Sequence, residues 1–283
     1  MSTSDSASAK SQLDDVASAR RGYLDSEGAR TIFSRRSASA DASHLVRYLK
    51  PGMRLLDLGC GTGTLSLGFA AIVTPGDVLG IDIAESSIAQ AKVQAELLGI
   101  TNAEFRVSNI LDAPLPDASF DVAHFSGVLA YQSDPVAILH VAHRALKPGG
   151  LVSVREPQKD GDWFGGPHRE VMTLINSLVI EDAFKSGGSD PFVGRRLGTL
   201  LHAAGFERVE LWPSYSPALS NVQAIAALVQ KWLTDPEYVA RVVRRGWITA
   251  EQLAELPRAV QVWSESEESI VAVAECIAIG WKP

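Results

Sequence analysis

Cysteine is scarce in this chain: 283 residues contain two, Cys60 and Cys276, too few for a disulfide framework or a zinc site, so no metal is expected. Positive charge is also in deficit, with 26 Lys and Arg against 33 Asp and Glu and a formal net charge of −7. That sign argues against nucleic acid as the main partner, because phosphate binding needs clustered Lys and Arg. The runs Arg35-Arg36, Arg195-Arg196 and Arg244-Arg245 are short. Long apolar runs are missing as well. The best stretches, Leu65–Val73 and Ile270–Ile279, are too short and too interrupted to span a bilayer, and the opening MSTSDSASAKSQLDD lacks the apolar core of a signal peptide. A cytoplasmic location with no membrane partner is the resulting expectation.

What is present is enough apolar sequence for a large core, 46% of residues, arranged in an alternating pattern. Residues 1–18 are rich in Ser, Ala and Asp and are expected to form a disordered tail. Residues 19–50 read as one or two amphipathic lid helices. Strands are predicted at Arg54–Leu58, Asp77–Asp82, Ala103–Val107, Phe120–Phe125 and Leu151–Arg155, with helical patterns between most of them. Asp134 and Pro135 mark a helix start and Gly99 a helix end. Such alternation predicts parallel βαβ units and an open, doubly wound sheet.

The second half breaks the rhythm. Residues 157–193 form a long excursion, a helix is placed at Gly194–Ala204, and a strand at Phe206–Trp212. Residues 217–265 read as purely helical, with Asp235-Pro236 opening one helix and Thr249 with Gln252 forming a capping box for another. The segment SIVAVAECIAIGWKP reads as one strand returning to the sheet. Two helical insertions beside one α/β core are expected to roof a ligand site.

The most informative stretch is RLLDLGCGTGTLSL, residues 54–67, where Gly59, Gly61 and Gly63 lie between a strand pattern and a helix pattern. A dinucleotide fingerprint needs G-x-G-x-x-G, but Thr64 or Ser66 falls at the third glycine, and no Gly-Lys-Ser/Thr follows for a P-loop. Asp57 in front of the turn would repel a pyrophosphate and accept a ligand carrying a cation. A zwitterion suits both features, with its carboxylate at the helix N-terminus and its ammonium near Asp57. Cys60 reads as a small side chain that fits the turn.

Asp57-Leu-Gly59-Cys-Gly61-Thr-Gly63 resembles the glycine signature of class I S-adenosylmethionine-dependent methyltransferases. The resemblance implies S-adenosylmethionine as cofactor, and a Rossmann-like, mostly parallel seven-stranded sheet whose last strand is antiparallel, carrying helical cap insertions. Asp82 lies 82 − 57 = 25 residues on, where the family places the acid that grips the ribose hydroxyls. The stretch SNILDAPLPDASFDVAH resembles the family's adenine-lining segment. It puts Asn109 at the adenine amino group, Ile110 on one face of the ring and Ile83 on the other, while Ser126 also falls to the cofactor site. SGVLAYQSDPVAILHVAHRALKPGG resembles the fourth-strand block of the ubiquinone/menaquinone-type enzymes, with Tyr131 where a histidine often stands. On this likeness the core spans 51–156 and continues at 194–216, the caps are 157–193 and 217–265, and 266–283 supplies the final core strand.

Methyl transfer from a sulfonium is an in-line displacement that mainly needs positioning, with a base only for a poor nucleophile. Tyr131 and His168 are the catalytic candidates, with Glu156 a further one; packing for Tyr131 and a surface role for His168 are the plain alternatives. Aromatic residues in or beside the insertions, Trp163, Phe164, Trp232, Trp247 and Trp263, suit either an apolar or aromatic small-molecule acceptor or a cap core. A homodimer is compatible with this class. A cofactor-binding protein without transfer activity and a nicotinamide oxidoreductase remain the two other classes.

Overall fold

Leu55–Leu58, entirely buried, is the first strand (β1) of a seven-stranded sheet in the computed structural model, which describes residues 36–185 and 189–283. The other strands are β2 (Val78–Asp82), β3 (Ala103–Val107), β4 (Phe120–Ser126), β5 (Leu146–Pro157), β7 (Glu207–Tyr215) and β9 (Ala274–Trp281), while β6 (Trp163–Gly165) and β8 (Ile270–Ala272) form a separate ribbon. The order across the large sheet is β3-β2-β1-β4-β5-β9-β7. β1 to β5 are parallel, and β9 runs antiparallel between β5 and β7. The chain starts at β1, winds outward to β3 and crosses to β4. The reversal point therefore lies between β1 and β4, where open α/β sheets bind ligands beyond the carboxyl ends of their strands.

Helices cover both faces. Short helices α1 (Ala38–Asp41) and α2 (Ser43–Val46) pack with α3 (Thr64–Val73) on Leu55, Val122 and Leu151. α4 (Glu85–Leu97) lies beside them on Phe105, and ends at Gly99 with φ +65°. On the opposite face α5 (Pro135–Ala145) and α7 (Leu197–Ala203) pack on Phe125, Val152 and Val154. Asp134 caps α5 by accepting the Ala137 N–H at 3.0 Å, as its place before Pro135 predicts.

The excursions form one roof. α6 (Arg169–Lys185) packs with α8 (Val222–Thr234), α9 (Pro236–Arg244) and α10 (Ala250–Glu265) around Met172, Val229, Val260 and the fully buried Trp263. Trp263 Nε1 donates to the Gly165 carbonyl at 2.8 Å, which satisfies its one polar atom in an apolar setting. Thr249 and Gln252 make the expected capping box.

Two readings need correction. The final segment is two strands: β8 leaves the main sheet to pair with β6, and Val273 separates it from β9. A three-residue strand such as β6 shows no period in sequence, so the 157–193 excursion gave no sign of it. The strand expected at Leu151–Arg155 starts earlier, at Leu146, so the Lys-Pro-Gly-Gly stretch after α5 belongs to the start of β5. Of the 19–50 lid helices, the described part is α1 and α2; the rest, with the 1–18 tail, lies outside the described residues. Among the described residues no helix is long and apolar enough to cross a membrane.

Candidate functional site

The turn after β1 is fixed by backbone contacts to β2. Gly59 and Cys60 both donate to the Ile81 carbonyl, at 2.7 and 3.0 Å, and the Gly61 N–H donates to Asp82 Oδ2 at 2.8 Å. The three glycines serve different ends. A Cβ on Gly59 would strike Val128, and one on Gly63 would come within 2.8 Å of Ala91 and Phe105, so both are set by internal packing. Gly61 has φ +54° and nothing within 4 Å of its Cβ position, so its open side can admit a ligand against bare backbone.

Asp57 does not face that opening. It is 3% exposed and accepts the Ser66 hydroxyl of α3, so it braces the turn from behind. Burial pushes its carboxyl up to about 7, with Ser66 pulling down and Asp82 adding a little upward. Burial, with Asp57 and Asp82 nearby, also pushes the Cys60 thiol well above its ordinary value, which removes it as a nucleophile. Asp82 stands at the end of β2, half-buried, and also accepts the Ala84 N–H at 2.9 Å. Ile83 beside it is 63% exposed, whereas Ile110 is buried. Asn109 uses its side-chain oxygen to accept the Leu111 N–H at 3.1 Å, the cap of a short 3-10 turn.

Across the reversal point, β4 ends at Ser126 and Gly127. A cavity of about 190 Å³ opens there under the roof. Tyr131 reaches it from the 3-10 turn Leu129–Tyr131. That turn hangs on Glu156, whose Oε1 accepts the Val128 and Leu129 N–H groups at 2.8 Å each and whose Oε2 accepts that of Ala130 at 3.1 Å. Burial pushes the Glu156 carboxyl up to about 7 against those hydrogen bonds.

Residues 49–187 match the model of a methyltransferase domain family. The chain is similar to the class I S-adenosylmethionine-dependent methyltransferases. A probable methyltransferase of Aspergillus luteorubrus, ltbC, is 28% identical over 272 residues, 87% of this chain and 92% of that protein. The demethylmenaquinone methyltransferase of Geobacillus kaustophilus is 29% identical over 177 residues, 58% of this chain and 75% of that enzyme. Among solved structures, the 4+2 cyclase SpnF superposes with a TM-score of 0.56 at 23% identity, over 88% of this chain and 84% of that one.

The structure does not bring His168, a catalytic candidate from the sequence, to the cavity. Its residue is exposed, has φ +56° at the start of α6, uses its carbonyl to accept the Val171 N–H at 3.0 Å, and is not among the residues lining the cavity. Ser126 stands at the end of β4. Its hydroxyl accepts Arg155 Nη1 at 3.2 Å and Arg36 Nη1 at 3.4 Å, and it lines the roofed cavity.

Arg155 and Glu275 are the residues that sequence reasoning missed. Arg155, 2% exposed, donates through Nε and Nη2 to Glu275 and through Nη2 to Ser216 Oγ at 2.8 Å, joining β5 to β9 under the cavity. Part of the signal was available: Glu275 is the one charge in the apolar run of β9, whereas Arg155 sits beside Glu156 at the end of β5.

Proposed function

We propose that this chain moves a methyl group from S-adenosylmethionine, by in-line displacement, to an O, N or C atom of a small, apolar or aromatic metabolite. The observation that carries this reading is the meeting of two features at one reversal point. The open face of Gly61 and the Asp82 carboxylate lie on the β1–β2 side, and a roofed, largely apolar cavity lies on the β4–β5 side.

Gly61 would let the cofactor approach the backbone, Asp82 would accept the ribose hydroxyls, and Ile83 and Ile110 would flank the adenine. Asn109 can reach the adenine only by sharing the oxygen that now caps Leu111. Gly59, Gly63 and Asp57 act one step back, by holding the turn in shape. When bound, the cofactor supplies an electrophilic methyl group on a sulfonium. Tyr131 stands on the cavity wall as a positioning group for the acceptor, and Glu156 fixes the turn that carries it. Glu156 is buried and occupied by three N–H groups, which suits a brace better than a base.

Calorimetric titration with S-adenosylhomocysteine, with NAD in parallel, tests the cofactor assignment. Micromolar binding of the first and none of the second supports it, and the reverse would return the chain to the oxidoreductases. The likeness to a cyclase extends to the fold alone, so transfer needs its own test: release of S-adenosylhomocysteine in the presence of phenolic, quinone and amine acceptors. Binding without turnover across that set would favour a cofactor-retaining protein with no methyl transfer.

A further inference from the structure

The face that α6 turns to the roofed cavity is an apolar stripe with one exception. Met172, Ile175, Asn176 and Val179 line the cavity from that helix, at the i, i+3, i+4 and i+7 spacing of a single helix face. Leu174 and Ser177, which fall off that face, are exposed. In a stripe otherwise made of Met, Ile and Val, the polar side chain is the informative one.

Asn176 is half-buried, and its amide is held in one orientation. Nδ2 donates to the Lys159 carbonyl at 3.1 Å, in the short 3-10 turn Lys159–Gly161 after β5. A carbonyl can only accept, so this bond fixes which end of the amide is nitrogen and leaves Oδ1 on the other side. Among the described residues no donor reaches that oxygen. Other acceptors of the cavity wall are already taken. Ser126 receives Arg155 and Arg36, Glu275 receives two N–H groups of Arg155, and Glu156 receives three from the backbone. Asp162 accepts the Ala274 N–H at 2.7 Å and pairs with Lys159 at 3.0 Å. Arg36, Tyr131 and Trp232 have further interactions of their own. Asn176 Oδ1 is thus an acceptor set among apolar side chains with its lone pairs unused. A ligand that displaces water from it leaves the oxygen buried and unpaired, at a cost in free energy, unless the ligand brings a donor.

We propose that Asn176 sets the specificity of this cavity: its Oδ1 accepts a hydrogen bond from a hydroxyl or N–H group on an otherwise apolar ring-bearing molecule. The cavity thereby selects ligands that keep one donor hydrogen over isosteres that lack it. This rests on the methyltransferase reading above in taking that ligand for the methyl acceptor. The bond to Lys159 holds the amide in place before the ligand arrives, so no side-chain rotation has to be frozen on binding. Discrimination of this kind exceeds what an apolar wall achieves by shape, because the wrong ligand leaves a buried polar atom unpaired.

The test uses the full chain saturated with S-adenosylhomocysteine, at about pH 7, and three probes on one ring system: 2-naphthol, 2-methoxynaphthalene and 2-methylnaphthalene. The first carries a donor hydrogen, which a phenol keeps at that pH, the second can only accept, and the third does neither. Calorimetric titration is expected to show 2-naphthol binding about tenfold tighter than each of the others, although its hydroxyl gives up more hydration on entering. Asn176→Leu, similar in size and apolar, should abolish that preference and leave S-adenosylhomocysteine affinity unchanged, which also shows that the variant folds. Asn176→Ala gives the same readout if the leucine variant does not fold. Leu228→Trp, on the α8 side of the cavity, should weaken all three probes alike. No binding of any probe overturns the proposal, as does binding that Leu228→Trp leaves untouched. So does 2-methoxynaphthalene binding as tightly as 2-naphthol, because the wall would then not read the donor hydrogen. A preference for 2-naphthol that survives the loss of Asn176 overturns it as well. Failure of S-adenosylhomocysteine to bind would instead overturn the cofactor assignment beneath it, and the same ranking of probes without it still reads Asn176.

Discussion

Glu156 Oε1 lies 2.8 Å from the backbone nitrogen of Leu129, and this bond ties the end of β5 to the turn that presents Tyr131. Glu156→Gln keeps the side-chain shape but turns one acceptor into an NH2 group facing N–H donors. The expected cost is about 1–3 kcal/mol of stability, read from urea unfolding. Affinity for S-adenosylhomocysteine should persist while acceptor turnover falls. Unchanged stability would mean that the carboxylate is not the anchor of the turn.

The glycines separate folding from binding. Gly61→Ala adds a methyl group to open space at a cost of about 1–2 kcal/mol for the left-handed backbone, so it should fold and yet bind S-adenosylhomocysteine poorly. Gly59→Ala drives a methyl group into Val128 and should lose stability first. If Gly61→Ala binds normally, the cofactor does not approach along that face.

Asp82→Ala should weaken S-adenosylhomocysteine binding by about 1.5–3 kcal/mol, the scale of hydrogen bonds to a charged group. Asp82→Asn retains one oxygen for the Gly61 N–H and should lose less. Equal affinity in all three proteins, measured by calorimetry, would take Asp82 out of the ribose site.

Stability should carry an Asp57 signature in pH. Its carboxyl titrates at about 7 in the folded protein against an ordinary 3.8, so between those values the native state binds more protons than the unfolded chain. Its contribution is fully present below the ordinary value and is lost as pH rises through the folded one. His44 runs the other way, because burial and nearby arginines lower it from 6.5 to about 4, and stability then rises with pH in that window. The two slopes oppose each other, so the informative quantity is the difference between Asp57→Asn and the unaltered protein. That difference should move in the variant's favour as pH is raised from about 5 to about 8. A flat difference would show that Asp57 is ionised throughout.

Breaking the buried pair by Arg155→Met should cost about 3–5 kcal/mol, because Glu275 loses the guanidinium bonded to both of its oxygens. Adding Glu275→Met should recover part of that loss. No recovery in the double variant would mean that the arginine acts mainly by filling space.

The sheet was legible because β1 to β5 alternate with helices carrying ordinary punctuation, such as Asp134-Pro135 and Gly99. The glycine turn was legible because its spacing excludes the competing nucleotide loops. The aim of a side chain was not. Asp57 and Asp82 are both acids at strand ends, and only the pleat turns one toward Ser66 and leaves the other at the opening. His168 stands four residues before Met172, a spacing that would share its face, yet it lies just outside α6 with φ +56°, so the helix brings Met172 and Ile175 to the cavity without the histidine. The floor pair Arg155 and Glu275 depends on the β5–β9 register, which joins residues 120 positions apart.

The roof draws its buried residues from three separate stretches, Met172 to Leu178, Ile225 to Trp263, and Val271 with Val273. Between the first two stretches the chain returns to the large sheet through β7, and β5 and β9 flank the whole set. The ends of each stretch are therefore brought together by strands that have already paired, and the entropy of closing those loops is met before any roof contact forms. The expected order of assembly is the sheet first and the chamber last. Opening runs in reverse, so the roof can lift as a unit while the strands keep their amide protons from exchange.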